Sequence, residues 1–120
     1  MQLSRLRGAP VVLTFFASWC HPCEEELPAL EQAQRAAGSN LHVVAVNYQD
    51  IADDSRAFAQ RLGVTFPVVT EDTAQNPIAR RYDVHEMPDV VFIDSRGVVR
   101  DRAWGPMSAS DIQTAIERLS

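Results

Sequence analysis

Several features that assign proteins to large functional classes are missing from this chain of 120 residues. No apolar run approaches the 18 or so residues that a membrane-spanning helix needs, so we expect no span in it. There is no cluster of Lys or Arg, and the formal charge of −5 disfavours a surface that binds nucleic acid. The first seven residues lack the apolar middle of a secretion signal, which leaves a cytosolic protein or an exported one whose signal lies outside this chain.

Cysteine and glycine are scarce, and the chain has no repeat, linker or low-complexity stretch. It contains two cysteines and five glycines, and its 46% hydrophobic and 22% charged residues are typical of globular proteins. A chain of this length can bury a core without disulfide staples. We therefore expect one domain over residues 1–120 and a monomer. One cysteine pair could be a structural bridge in an oxidising compartment or a redox pair in any compartment.

Both cysteines lie in one short motif, Cys20-His21-Pro22-Cys23. The motif stands between an apolar run at residues 10–17 and an acidic helical pattern. At a helix start the partial positive charge of the helix dipole favours a thiolate, which is the attacking species in disulfide exchange. Cys20, first in the motif and expected to be the more exposed, is the predicted nucleophile, and Cys23 is predicted to resolve the mixed disulfide.

Other roles for the pair remain open from the residues alone. A structural disulfide across two residues closes so small a loop that it would add little stability. A copper or zinc chaperone could use Cys20, Cys23 and His21. Zinc sites usually need four ligands, however, and His42 and His85 show no paired spacing. A thiol peroxidase usually lacks such an adjacent pair, and a redox-inert interaction module does not account for it.

The apolar periodicity predicts an α/β fold. Its order of β-α-β, helical segment and β-β-α predicts a mixed central sheet of four to five strands, covered by helices on both faces in three α/β/α layers. A proline at residue 67 favours an edge position for the shortest strand. Strands are expected at residues 11–17, 41–47, 66–70, 89–93 and 98–103. Helices are expected at residues 22–37, 53–62, 77–82 and 110–119.

Four stretches of the sequence belong to one known pattern. They are FFASWCHPC at residues 15–23, VAVNYQD at 44–50, Met87-Pro88, and FIDSRGV at 92–98. Together they resemble the thioredoxin superfamily, and within it the exported, often membrane-tethered thiol-disulfide oxidoreductases of the TlpA, ResA and CcmG (DsbE) type. The resemblance implies a thioredoxin fold with a helical insertion at about residues 51–86 between its two halves. The N-terminal hairpin usual in that subgroup has no counterpart here.

The resemblance also implies an activity. We expect a thiol-disulfide oxidoreductase that acts on protein disulfides, with no cofactor beyond its Cys20–Cys23 pair and no metal. It is expected to work as a reductase in the periplasm or an equivalent extracytoplasmic compartment, kept reduced by a membrane electron donor of the thiol-reducing type. Apocytochrome c and other exported proteins are the expected substrates. A membrane tether in a segment absent from this chain fits that expectation, and a cytoplasmic location is less favoured.

Three further residues are expected to contact the substrate. The resemblance implies that the Met87–Pro88 peptide bond is cis, that Pro88 packs beside the two sulfurs and that the Met87 backbone pairs with an extended substrate segment. A trans proline before an edge strand is the plainer alternative. Trp19 is expected to form an apolar lip beside the sulfurs, whereas Trp104 is expected to pack at the base of the last strand.

His21 and Pro22 stand where reducing thioredoxins carry Gly-Pro. A protonated His21 would favour the Cys20 thiolate and so make the disulfide more oxidising, unless it is only a solvated side chain. The three glutamates at residues 24–26 suit the first turns of a helix. We interpret them as a solvated acidic face, with little effect on the thiolate because exposed charges are screened.

The sequence lacks the carboxylate that usually takes the proton of the second thiol. Thr14 occupies the position where thioredoxins carry a buried aspartate, and it cannot take a proton. In ResA-like relatives an acidic residue at the place of Asp50 lies near the thiols, which suggests Asp50 as the acceptor. An ordinary loop or cap carboxylate is an equally good interpretation. Asp89, where threonine is usual, is expected to place a further carboxylate near the pocket.

Overall fold

The computed structural model describes residues 8–71 and 75–119, which form one mixed sheet with helices against it. The strands are β1 (Val11–Phe16), β2 (His42–Asn47), β3 (Val68–Val69), β4 (Asp89–Ile93) and β5 (Val99–Trp104). The α-helices are α1 (Cys23–Ala37), α2 (Ala52–Arg61), α3 (Pro77–Arg81) and α4 (Ala109–Glu117), with a 3₁₀ turn at Gly38–Asn40. The first seven residues, in which no secretion signal was found, lie outside the described part.

The five strands are arranged in the order β3-β2-β1-β4-β5. β1 is parallel to β2 and antiparallel to β4, so the sheet is mixed, as predicted. Every residue of β1 is buried, as expected of a central strand without a polar face. Pro67 directly precedes the two-residue β3 at the sheet edge, where its missing N–H costs no ladder hydrogen bond, and its carbonyl accepts from Ala45 N at 2.9 Å.

Apolar side chains on the two sides of β1 belong to two different clusters. Val12 and Phe16 pack in a cluster with residues of α1, α2 and α4. Leu13 and Phe15 pack in a second cluster that includes Ala79 of α3. The alternation follows from the period of two along a strand. Helices therefore cover both faces of the sheet, which confirms the predicted α/β fold of three layers.

Helix boundaries follow local backbone chemistry. α1 ends at Gly38, whose φ of 60° is a conformation that favours glycine. The last helix begins at Ala109, one residue before the predicted start at Ser110, because its cap is Ser108. Its hydroxyl accepts from Asp111 N at 3.0 Å, and the Asp111 carboxylate accepts from Ser108 N at 3.3 Å. This reciprocal pair is a capping box.

Three loops meet at one end of the sheet. The β1–α1 loop (residues 17–22) and the β2–α2 loop (residues 48–51) lie side by side because β1 and β2 are parallel neighbours. A hydrogen bond from Tyr48 N to Phe16 O, 2.8 Å long, joins the two strand ends. The third is the segment before β4, since Asp89 at the start of β4 pairs with Phe15 near the end of β1. Functional groups of α/β proteins gather at this end of parallel strands.

Candidate active site

Cys20 and Cys23 are joined by a disulfide, with their Cα atoms 5.4 Å apart. Cys23 is the first residue of α1, and its N–H donates to Cys20 O at 3.2 Å, so the turn that contains the pair leads directly into the helix. Cys20 is 4% exposed and Cys23 is 1% exposed. The predicted order of exposure is therefore confirmed. Both residues nevertheless lie in the core, so Cys20 presents less surface than the sequence suggested.

Glu26 lies one helical turn after Cys23 and is buried, with 1% of its surface exposed. The expectation of a solvated face at residues 24–26 is wrong for this residue. Residues three apart on a helix share a face, so Glu26 and Cys23 both point toward the packed side of α1. Glu26 Oε2 accepts from Met107 N at 3.3 Å. Among the buried side-chain atoms in the described part of the chain, only Glu26 Oε1 and Thr14 Oγ1 have no hydrogen-bond partner.

The surroundings of Glu26 favour its neutral form. Desolvation by burial raises the pKa of Glu26 from its ordinary 4.5 to about 7. The hydrogen bond from Met107 lowers this pKa, and the nearby Asp89 carboxylate raises it, but both effects are smaller than that of burial. A carboxyl with a pKa near neutrality can both release and take up a proton under ordinary conditions. Glu26 is thus a titratable group that the sequence reasoning did not single out.

Asp50 accepts hydrogen bonds from two serines at the junction of the loops. Its Oδ2 accepts from Ser18 N and from Ser55 Oγ, both at 2.7 Å, and its Oδ1 accepts from Ser18 Oγ at 3.0 Å. Burial raises the pKa of Asp50, but the hydrogen bonds from Ser55 and Ser18 outweigh it and hold the pKa below the ordinary 3.8. The carboxylate is therefore stabilised in its charged form, which makes it a weak base.

Trp19 and His21 flank Cys20 in the sequence and extend into solvent. Trp19 is 59% exposed, and its indole Nε1 donates to Gln49 O at 3.0 Å. The His21 side chain is almost fully exposed, and its Nδ1 lies 3.8 Å from a carboxylate oxygen of Glu24. The ring of Trp19 is exposed next to Cys20 in the chain, and its role as a lip beside the sulfurs stays a prediction. His21 and Pro22 are both exposed residues between the cysteines.

The Met87–Pro88 peptide bond is cis, which confirms the predicted geometry. Pro88 is buried, and its carbonyl accepts from Gly105 N at 2.7 Å. Asp89, which follows it, is fully buried and forms two hydrogen bonds with the Arg102 guanidinium, at 3.0 and 2.6 Å. Arg102 also lies over the ring of Trp104, 4.8 Å from its centroid. Trp104 is more than half exposed, so the expectation that it packs at the base of β5 is wrong.

Within residues 8–71 and 75–119, no group of three or more His, Cys, Asp and Glu side chains is arranged to hold a metal ion. Over the same ranges, the helices are too short or too polar to cross a membrane.

Comparison with known proteins places this site in a family. The family model described as AhpC/TSA matches residues 1–102 of the chain. The chain belongs to the AhpC/TSA family. The thioredoxin-like protein YneN of Bacillus subtilis is 32% identical over 96% of this chain and 68% of its own length. The thiol-disulfide oxidoreductase ResA of Geobacillus kaustophilus is 32% identical over 98% of this chain and 67% of its own length.

A solved structure gives the same result for the fold. A Chlorobium tepidum protein assigned as the thiol:disulfide interchange protein DsbE superimposes with a TM-score of 0.89 at 30% identity, over 99% of this chain and 85% of that one. This AhpC/TSA family member therefore has a thioredoxin fold. With a Cys20–Cys23 disulfide at the start of α1, it is a thiol-disulfide oxidoreductase, as the sequence predicted.

A signal for Glu26 was present in the sequence of this family member. Leu27 and Leu30, which follow it in the sequence, lie on the buried side of α1. Cys23, Glu26, Leu27 and Leu30 follow the i, i+3, i+4, i+7 spacing of one helix face. Charge type rather than position led to the assignment of Glu26 to the solvated face.

Proposed function

We propose that this thiol-disulfide oxidoreductase works as a reductase of disulfides in exported proteins, outside the cytoplasm. The observation that carries the proposal is the disulfide at the start of α1, directly after the exposed Trp19. The cis bond before Pro88 supports it. The names of its relatives, a thiol-disulfide oxidoreductase and a thiol:disulfide interchange protein, support it. Apocytochrome c and other exported proteins are the proposed substrates. A membrane electron donor of the thiol-reducing type restores the dithiol of the monomer.

The proposed reaction has two exchange steps. In the reduced protein the Cys20 thiolate attacks one sulfur of a substrate disulfide, and the other substrate sulfur leaves as a thiolate. Cys23 then loses its proton and attacks the Cys20 sulfur. The substrate departs with both cysteines reduced, and the protein is left with the Cys20–Cys23 disulfide. The two electrons that the substrate gains are those that the protein loses.

Glu26 is the proposed acceptor of the Cys23 proton. It lies one turn from Cys23 on the same helix face, its Oε1 has no hydrogen-bond partner among the described residues, and its pKa is raised to about 7. Asp50, the acceptor suggested by sequence, is the weaker base of the two because three hydrogen bonds stabilise its charged form. The absence of a carboxyl at Thr14 is thereby compensated from α1.

Substrate contacts are proposed for three residues around the disulfide. The exposed indole of Trp19 contacts apolar groups beside the substrate cysteine, since its Nε1 is already bound to Gln49 O. The Met87 backbone pairs with an extended substrate segment, and the cis Pro88 shapes the edge where that segment lies. His21 and Pro22, between the two cysteines, set the balance between disulfide and dithiol.

Trapping the mixed disulfide tests the assignment of the two cysteines. Cys23→Ser should form a stable mixed disulfide with a disulfide-containing peptide, whereas Cys20→Ser should form none. The adduct is measured by intact mass under non-reducing conditions. If Cys20→Ser forms the adduct and Cys23→Ser does not, the roles are reversed. If neither variant forms it, the proposed reaction is excluded.

The direction of the reaction is tested by an equilibrium titration against glutathione, followed by Trp19 fluorescence. A reductase predicts a potential near the roughly −270 mV of thioredoxin. A potential near the roughly −120 mV of the oxidant DsbA would contradict the reductive direction and assign the larger effect to His21. His21→Gly provides the matched comparison, since it restores the Gly-Pro pair of reducing thioredoxins.

A further inference from the structure

Asp50 connects the two loops that meet beside Cys20. Its three hydrogen bonds reach Ser18 in the β1–α1 loop and Ser55 in the first turns of α2. The Asp50 carbonyl in turn accepts from the Asn47 side chain at 3.3 Å, at the end of β2. The Asp50 carboxylate thus joins the β1–α1 loop to α2, and the Asp50 carbonyl is bound to the end of β2.

The loop that Asp50 holds carries the predicted nucleophile. Ser18 is two residues before Cys20, and both its N–H and its hydroxyl donate to the carboxylate. Trp19, between them, donates from its indole to Gln49 O, in the residue before Asp50. Gln49 has a positive φ of 49°, an uncommon conformation for a residue other than glycine. The two loops are therefore joined at two adjacent residues, Ser18 and Trp19.

We propose that Asp50 is a positioning residue, which acts through Ser18 and Ser55 to hold Trp19 and Cys20 in place for attack on the substrate disulfide. The inference rests on the proposed thiol-disulfide exchange and names a residue that serves its first step. Asp50 does not touch the reacting sulfurs in this account. Because Asp50 already holds the β1–α1 loop in one conformation, the attack does not have to meet the entropy cost of ordering that loop.

The bonding pattern distinguishes this role from proton transfer. The Asp50 carboxylate accepts three hydrogen bonds, two of them 2.7 Å long, so its oxygens are already bound to the Ser18 and Ser55 donors. The same hydrogen bonds keep the pKa of Asp50 low, so its carboxylate is charged at neutral pH. The positioning role requires the serine donors as much as the Asp50 carboxylate. A base requires only the carboxylate, and the serine variants separate the two.

Stopped-flow reaction of the reduced protein with 5,5′-dithiobis(2-nitrobenzoate) measures the two steps separately. Attack by Cys20 releases one thionitrobenzoate and leaves the other in a mixed disulfide. Attack by Cys23 on the Cys20 sulfur releases the second and closes the Cys20–Cys23 disulfide. The reagent is supplied at one equivalent, because two thionitrobenzoates are then released only if the disulfide closes. If the wild-type protein fails to release two equivalents under that condition, the proposed function fails. The Asp50 proposal concerns only the rates of the two releases, so its failure is distinct from a failure of the proposed function.

The variants are Asp50→Asn and the pair Ser18→Ala with Ser55→Ala. Both should slow the first release on the order of tenfold. A 1 Å misplacement of a reacting group can slow a reaction roughly hundredfold, and a loosened loop should misplace Cys20 by less than that. The midpoint of the pH profile of that step should not move. Asp53→Asn is the matched control, since it removes the same charge from a side chain that is 95% exposed. Its rates should equal those of the wild-type protein.

Trp19 provides a readout that a loss of stability alone would not change. In a Trp104→Phe background Trp19 is the only tryptophan, and acrylamide should quench it more strongly in Asp50→Asn, in both redox states. The measurement is made well below the unfolding transition of each variant. Where Asp50→Asn does not fold, the serine variants, which keep the carboxylate, carry the test.

Two results would overturn the inference. One is an unchanged first step together with unchanged Trp19 quenching in both the Asp50 and the serine variants. The other is a slowed second release in Asp50→Asn with wild-type rates in the serine variants, which would assign Asp50 to proton transfer from Cys23 instead.

Discussion

Glu26 is the residue at which burial has the largest chemical consequence. Its carboxyl lies on the packed face of α1 with one oxygen unpartnered, so ionisation there places a charge in the core. The Asp89 carboxylate opposes that charge as well. The unfolded chain ionises Glu26 near its ordinary pKa of 4.5, whereas the folded protein keeps it protonated up to about pH 7. The folded state thus binds the extra proton between these two values, and stability falls as the pH rises through them.

Glu26→Gln should remove that pH dependence. Relative to the wild-type protein, the variant should gain about 3 kcal/mol between pH 4.5 and pH 8, since the shift is about 2.5 pKa units at roughly 1.4 kcal/mol each. Chemical unfolding of the oxidised protein at several pH values measures the difference. Glu25→Gln, at an exposed neighbour, is the control and should follow the wild-type profile. Parallel profiles for Glu26→Gln and the wild-type protein would contradict the account.

At the scale of elements, the β4–β5 hairpin contains a buried ion pair. Asp89 is inaccessible to solvent, and the Arg102 side chain that pairs with it is 20% exposed. The Asp89 hydrogen bonds also raise the pKa of Arg102. Removal of one partner leaves a desolvated charge without compensation, which is far more costly than the loss of an exposed pair.

Arg102→Met should therefore destabilise the protein by about 3–5 kcal/mol. The double variant with Asp89→Leu should recover most of that loss, because it removes the unpaired carboxylate. Denaturant unfolding at neutral pH gives both values. Arg118→Ala, which breaks the exposed pair with Asp101, should cost less than about 1 kcal/mol. A similar loss for Arg102→Met and Arg118→Ala would show that the buried pair has no special weight.

The N-terminus of α4 provides a second prediction at this scale. Ser108→Ala removes the hydroxyl that accepts from Asp111 N and should cost about 1 kcal/mol of stability. Ser110→Ala, within the first turn of the helix and exposed, is the matched control. It should be neutral or slightly stabilising, because alanine favours the helix. Thermal unfolding of the two variants side by side measures the difference, and equal midpoints would exclude the Ser108 cap.

At the scale of the whole molecule, the sheet brings together three chain segments that are far apart in sequence. The order of elements, the central β1 and the position of the cysteine pair could be predicted, because periodicity and the CHPC motif are local signals. The cis bond at Pro88 was expected from resemblance alone. The helix spacing indicates that Glu26 lies on the buried face of α1, but its charge led to its assignment to the solvated face.

Other features depend on tertiary contacts that no local pattern contains. Ser18, one partner of Asp50, lies 32 residues away in the chain, and the two meet only when β1 and β2 pair. Arg102, the partner of Asp89, lies 13 residues away on β5, two residues from Trp104, which is opposite Asp89 in the hairpin register. Glu26 accepts a hydrogen bond from Met107 N, just before α4 and 81 residues further along the chain. Such pairs set the electrostatics of the site.

The central claim is that the fold makes Cys20 a reactive thiolate. Cys23→Ser, whose only thiol is Cys20, allows the most direct measurement, the rate of its alkylation by iodoacetamide at pH 7. The native variant should react about tenfold faster than the same variant in concentrated urea, where the helix start no longer exists. An equal or slower rate in the native state would contradict the account, because the little surface that Cys20 exposes would then protect the sulfur rather than activate it.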